Sequence, residues 1–318
     1  SMMYGTAFLV SIFSVILSCH AQPTPSRQVW AWASGNLQAK ETIQQLYNST
    51  WASMIDGIQV WCGVRFSDHG FEVNQTLWSG CQPLLRAAKE TKTKFQLMIA
   101  GDIPDNANVN TFIVQALALH HHLHIDGFSL DDEKDCAPRA TTDAFESWTS
   151  WQSQFARGLQ RQNIPVTSAI QAVFAINNKP DNQPCANNPS SYDLDSRVVS
   201  ILQNATLQKW LVMDTYYFST GRFMGALDWH VQNIPLKNLG IGLMNRTDLS
   251  ENDLIARFHA IEKSGVDWIN IFMMPIADQF LPFLQRWKNH CSGCGRQNVL
   301  GCYDMTIPCG STLSSEIS

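Results

Sequence analysis

The sequence predicts an α/β fold, a (β/α)8 TIM barrel followed by a short cysteine-rich C-terminal appendix. Three observations predict it. Short apolar runs alternate with amphipathic stretches along the chain, and eight such runs read as strands. The alternation covers about 260 residues, the usual size of a barrel of this kind. No Gly-rich phosphate loop follows the first run, which argues against a doubly wound open sheet.

The strand candidates are 29–33, 57–62, 95–100, 127–130, 166–172, 210–217, 239–243 and 268–273. Each is rich in Val, Ile, Leu or aromatic residues, as strands covered on both faces must be. Between them, 39–47, 84–92, 110–121, 142–162 and 251–263 are the clearest helical stretches. No break in composition divides residues 22–290, which read as one barrel domain. Residues 1–21 read as a signal peptide: Phe8 to Leu17 is apolar, too short to span a bilayer with ease, and Ala21 suits cleavage. Residues 291–318 hold Cys291, Cys294, Cys302 and Cys309 and read as a disulfide-stapled tail.

A leader of this kind implies a secreted or endomembrane-lumen protein. Four Asn-x-Ser/Thr sequons, at Asn48, Asn74, Asn204 and Asn245, agree with that route and predict a glycoprotein. Of nine cysteines, loss of Cys19 with the leader leaves eight, an even number suited to disulfides in an oxidising compartment. Cys62–Cys81 and Cys136–Cys185 are the expected pairs, with the last four cysteines pairing among themselves. A net charge of −5 without a basic stripe excludes nucleic acid as an expected partner. A monomer without a membrane partner is the expectation, and the eleven Trp suit a carbohydrate-binding surface as well as a core.

The fourth strand carries the chemistry. In Asp126-Gly127-Phe128-Ser129-Leu130-Asp131-Asp132-Glu133 the side chains alternate with period two, so Ser129, Asp131 and Glu133 share one face. Phe128 and Leu130 share the other, which suits packing against helices. The polar set therefore points into the barrel and ends at its C-terminal mouth, where barrels of this kind place their active sites. Two carboxylates held close raise the pKa of one, and a carboxyl kept protonated is what protonation of a glycosidic oxygen needs.

This segment resembles the strand-four signature of the family 18 glycoside hydrolases, the chitinases and chitobiases, Asp-Gly-x-Asp-x-Asp-x-Glu. Asp126, Asp131 and Glu133 match its first Asp, its third Asp and its catalytic Glu. Ser129 replaces the second Asp, and Asp132 replaces a usual Trp or Tyr. The resemblance implies that Glu133 protonates the leaving oxygen. It implies that Asp131 orients the substrate's own N-acetyl oxygen as nucleophile, with retention of configuration. The implied substrate carries N-acetylglucosamine, and no metal or other cofactor is implied.

In the sixth strand the family often shows Met-x-Tyr-Asp. This chain has Met213-Asp214-Thr215-Tyr216-Tyr217, with the residue types in another order. Asp214 and Tyr216 share one face of a strand and are the expected inward pair; Met213, Thr215 and Tyr217 form the alternative. If Asp214 faces inward it can serve as a second catalytic carboxylate. The family's strand-eight Trp has no counterpart here, where Phe272 stands near the strand end. Expected substrate contacts are Asp126, Ser129, Trp32, Trp61, Gln96, Gln171, Tyr217 and Phe272.

Two other readings exist. A carbohydrate-binding barrel without catalysis is known on this fold, although retention of Glu133 argues against it. A metal-dependent hydrolase would use Asp131, Asp132, Glu133 and Asp135. It would want His ligands at other strand ends, where His69, His230 and His259 do not fall. His120, His121, His122 and His124 read as the solvated end of a helix, where the dipole favours His⁺.

Overall fold

A computed structural model describes residues 26–104, 107–131, 142–170, 200, 202–216 and 219–289, the side chains of 142–145, 170 and 214 excepted. It is a closed (β/α)8 barrel. The strands are β1 (Gln28–Ser34), β2 (Gly57–Ser67), β3 (Gly70–Val73), β4 (Lys94–Ala100), β5 (Gly127–Asp131), β6 (Val166–Ile170), β7 (Lys209–Val212), β8 (Leu239–Met244) and β9 (Trp268–Phe272). All pair in parallel except β3, and β1 pairs with both β2 and β9, which closes the ring. The extra strand β3 is the antiparallel arm of a hairpin with β2, so the fourth barrel strand is β5.

The described helices are α1 (Ala39–Tyr47), α2 (Ser49–Met54), α3 (Gln75–Thr91), α4 (Val109–Leu123), α5 (Thr142–Gln160), α6 (Thr220–Asn233), α7 (Glu251–Ser264) and α8 (Leu281–Lys288). Several begin at a side chain that caps them. Asn48, Asn74 and Asn108 accept backbone N–H groups at the starts of α2, α3 and α4, and Ser219 and Ser250 do so for α6 and α7. His120, His121 and His122 lie in the last turn of α4, and His124 ends it in the left-handed conformation.

Two element boundaries differ from expectation. The strand read as 57–62 runs on to Ser67. Gly63 lies at φ +73° beside an irregularity in the β2–β4 register, so one residue of special backbone breaks the apolar run without ending the strand. The strand read as 210–217 stops at Val212 and turns into a 3-10 helix, Asp214–Tyr216. The Thr215 hydroxyl donates to Val212 O and Gly242 O at 2.9 and 2.8 Å, which draws the chain inward and ends the ladder.

Apolar side chains on the outward face of the strands pack under the helices as one large core, with Phe128, Leu130, Val212 and Ile271 among them. The inward side chains form layers of four, each from alternate strands, when the register is followed around the ring. At the bottom, Lys209 pairs with Asp267 at 2.5 Å and lies over the Trp268 ring, which stacks on Trp30 at 4.8 Å. Burial of Lys209 pulls its ammonium below its ordinary pKa, and the Asp267 contact opposes that.

The expected disulfide Cys62–Cys81 is present and joins β2 to α3 across 19 residues of sequence. Gly35 leaves the space it occupies, since a Cβ there would collide with Cys81 Sγ. Replacing both cysteines with alanine should lower stability by about 3 kcal/mol, the loop-closure value for a ring of this size. Chemical denaturation of the oxidised protein and of the double variant measures it; an equal midpoint would show that the bridge constrains nothing. Cys136, Cys185 and the four cysteines of the tail lie outside the described residues.

Candidate active site

The C-terminal ends of the barrel strands carry a carboxylate and, across the ring from it, an aromatic group. Asp131 is the last residue of β5, half-buried, and its carbonyl accepts from Gly101 N at 3.2 Å. Its inward parity follows from Ser129, two residues below it and fully buried inside the ring. The register places Trp61, Asp131, Met213 and Phe272 in one layer at the mouth.

Around Phe272, Trp32 from β1 and Tyr216 from the 3-10 turn converge. Trp32 meets Tyr216 edge-on at 5.6 Å and Phe272 at 5.5 Å, and Tyr216 lies 5.7 Å from Phe272. Phe272 is 38% exposed, large for an apolar ring that has neighbours to hide against. Gly242 makes this arrangement fit, because a Cβ there would run into the Tyr216 ring. A half-exposed aromatic face at a mouth that also holds a carboxylate suits a sugar ring, whose C–H face is apolar and whose edge carries hydrogen-bonding groups.

Tyr216 thus reaches the mouth, but not by strand alternation. Asp214 begins the same 3-10 turn, so the inference that the two share a strand face is corrected. Met213 is the residue of this segment that continues the inward parity of β7 and packs inside the ring.

Beneath the mouth the ring holds a polar group beside the apolar Met98, Ala169 and Leu211. Gln59 donates to Gln96 Oε1 at 3.1 Å and to Thr167 Oγ1 at 3.0 Å, and Thr167 donates to Gln96 at 2.9 Å. These three and Ser129 and Asn270 are fully buried. Among the described residues, Ser129 Oγ, Gln59 Oε1, Gln96 Nε2 and both amide atoms of Asn270 make no hydrogen bond. Such atoms take ordered water or a ligand group that reaches down to them. Gln96 therefore sits below the mouth in a glutamine–threonine network. Trp61 is half-buried in the mouth layer, with its indole N–H buried and without a hydrogen bond among the described residues.

Asp126 does not join the site. It precedes β5 at the opposite end of the barrel, about 17 Å from Asp131 at the usual strand rise. Its carboxylate accepts from Phe95 N at 2.8 Å, which starts the β4–β5 pairing. Asp56 does the same for β1, accepting from Val29 N at 2.7 Å. Each of these acids is followed by a glycine at the crowded barrel floor, Gly127 and Gly57, where a Cβ would strike Pro165 or the Trp30 ring. The Asp-Gly pair of the fourth strand is thus a strand-opening device that the second strand repeats.

Glu133, Gln171 and Tyr217 lie outside the described residues. Sequence reasoning missed Asn270, although a signal existed: in Trp268-Ile-Asn270-Ile-Phe272 the lone amide shares the parity of the two aromatics.

No protein-family model matches the chain, and no curated protein matches it in sequence. Solved structures match it in shape. A class V chitinase from Pseudomonas fluorescens is 12% identical with a TM-score of 0.60, over 82% of this chain and 99% of its own. The spore cortex-lytic enzyme from Bacillus megaterium is 10% identical with a TM-score of 0.56, over 83% of this chain and 75% of its own. A class V chitinase from Cycas revoluta, in complex with (GlcNAc)3, is 8% identical with a TM-score of 0.59, over 83% and 99%. At these identities the likeness is one of fold, and the chain shares the (β/α)8 barrel of the class V chitinases, a remote resemblance to the family 18 glycoside hydrolases.

Proposed function

We propose that this protein is a secreted, retaining glycoside hydrolase acting on N-acetylglucosamine-containing glycans. The observation that carries the reading is Asp131, inward at the end of β5 and in one mouth layer with Phe272, the exposed member of the Trp32–Tyr216–Phe272 cluster on the other side of the ring. The barrel it shares with chitinases, one of them bound to (GlcNAc)3, supports the substrate class.

In this reading a sugar ring rests on the exposed aromatic face. The Glu133 carboxyl gives its proton to the glycosidic oxygen while the substrate's acetamido oxygen attacks the anomeric carbon. The bond to the leaving oxygen breaks and its electron pair stays on that oxygen. Asp131 accepts the acetamido N–H and balances the positive charge of the oxazolinium that forms. Water then attacks the anomeric carbon and gives a proton to Glu133, while the bond from that carbon to the acetamido oxygen breaks with its electron pair returning to the oxygen, which restores the acetamido group and the original configuration.

Substrate choice tests this. The protein should hydrolyse chitooligosaccharides and leave cello-oligosaccharides of equal length intact, because glucose lacks the acetamido nucleophile. An N-acetylglucosamine-derived thiazoline, which mimics the cyclic intermediate, should inhibit it. Equal cleavage of both oligosaccharides would overturn substrate assistance, and failure to cleave either would overturn the glycosidase reading.

A further inference from the structure

Four sequons look alike in sequence, and the structure separates them by what each side-chain amide is already doing. N-linked glycosylation joins Nδ2 of asparagine to the anomeric carbon of an oligosaccharide carried on a polyisoprenyl diphosphate. The new C–N bond forms as the C–O bond to the diphosphate breaks. The diphosphate leaves with the electron pair, and Nδ2 gives up one of its two protons. Oδ1 keeps its lone pairs, so an asparagine that works through its oxygen alone can carry a sugar without losing its place in the fold.

Asn48 and Asn74 are of that kind. Asn48 Oδ1 accepts from Thr50 N and Trp51 N at 3.0 and 3.4 Å, and Asn74 Oδ1 accepts from Thr76 N and Leu77 N at 3.1 and 3.2 Å. Both are exposed, and among the described residues Nδ2 of neither makes a hydrogen bond. The capping oxygen faces the helix, so the amide nitrogen is turned away from it. Asn204 is intermediate: it is exposed, but Nδ2 donates to Ser200 O at 2.9 Å and to Ser200 Oγ at 3.2 Å.

Asn245 is the opposite. Its Nδ2 donates to Met273 O and to Pro275 O, each at 2.6 Å, and its Oδ1 accepts from Ala277 N at 2.9 Å. Its backbone N–H donates to Phe272 O at 2.6 Å. The side chain is half-buried between the end of β8 and the turn after β9. A glycan would replace an Nδ2 hydrogen that the turn uses and would force a sugar between the two segments.

We infer that Asn48 and Asn74 are N-glycan attachment sites of the folded protein, and that Asn245 is not an attachment site but a clamp that holds the turn behind Phe272. The inference is independent of the catalytic reading, since a chain without glycosidase activity carries the same amides. The test expresses the full chain in a eukaryotic secretory host and examines the soluble folded protein. Enzymatic deglycosylation in ¹⁸O-water should convert Asn48 and Asn74 to labelled Asp and leave Asn245 unlabelled. Sequon variants that spare the asparagine give a second readout: Thr50→Ala and Thr76→Ala should each remove one glycan from the mass, and Thr247→Ala should remove none. Label at Asn245, or a mass loss in Thr247→Ala, overturns the clamp assignment. An unlabelled Asn48 or Asn74 overturns the assignment at that residue.

Discussion

Glu133→Gln should reduce turnover of a chitooligosaccharide by about 10²- to 10⁴-fold, the contribution of a positioned general acid, with the thermal midpoint unchanged. The amide keeps the size of the carboxyl and has no acidic proton to give. Asp131→Asn should be impaired as well, because a neutral amide cannot balance an oxazolinium charge. Asp214→Asn separates two mechanisms. Under substrate assistance its effect is partial, whereas loss of a protein nucleophile or base removes activity almost completely. Steady-state kinetics on the three variants, each checked by circular dichroism, gives the result. Full activity in Glu133→Gln would remove that residue from the chemistry.

Asn245→Ala should cost about 3 kcal/mol of stability. A buried polar group stripped of its partner costs about 1–3 kcal/mol, and the substitution frees Met273 O, Pro275 O and Ala277 N at once. The turn they hold follows Phe272 directly, so substrate affinity should weaken together with stability. Asp at this position restores the acceptor for Ala277 and none of the donors, and should recover less than half of the loss. Denaturant titration of Asn245→Ala and Asn245→Asp measures both. A loss below about 0.5 kcal/mol, the usual range for surface substitutions, would mean that the clamp does not hold the turn.

The barrel was legible because its strands are covered on both faces, which leaves unbroken apolar runs at regular spacing. The hairpin strand β3 was not. Gly63 reads as a strand terminator in sequence, and only the register irregularity between Trp61 and Val64 shows the strand continuing past it. The sixth barrel strand was read too long, because Trp210–Tyr217 has strand composition throughout and the Thr215 hydroxyl that ends it makes its bond to a strand remote in sequence. The inward parity of Asp131 and Ser129 was legible through period two, and Phe272 was placed only by its position near the strand end. Convergence of Trp32, Tyr216 and Phe272 was not, since it depends on the absence of a side chain at Gly242. Asp126 shows a different limit. A residue within a recognisable motif read as part of the site, while the matching Asp56-Gly57 pair held the sign of its architectural use.

The barrel's first and last described turns meet. Arg27 donates to both carboxylate oxygens of Glu262 and to Trp287 O, each at 2.5 Å, and its guanidinium lies over the Trp287 ring. Lys288 reaches Asp56 at 2.9 Å, at the start of β2. The first and last described residues of the barrel therefore share the floor of the ring, the face remote from Asp131. The contacts that fasten the first strand to the last described helix thus lie at the opposite end of the strands from Asp131, so a substitution at this junction bears on stability without touching a residue of the mouth.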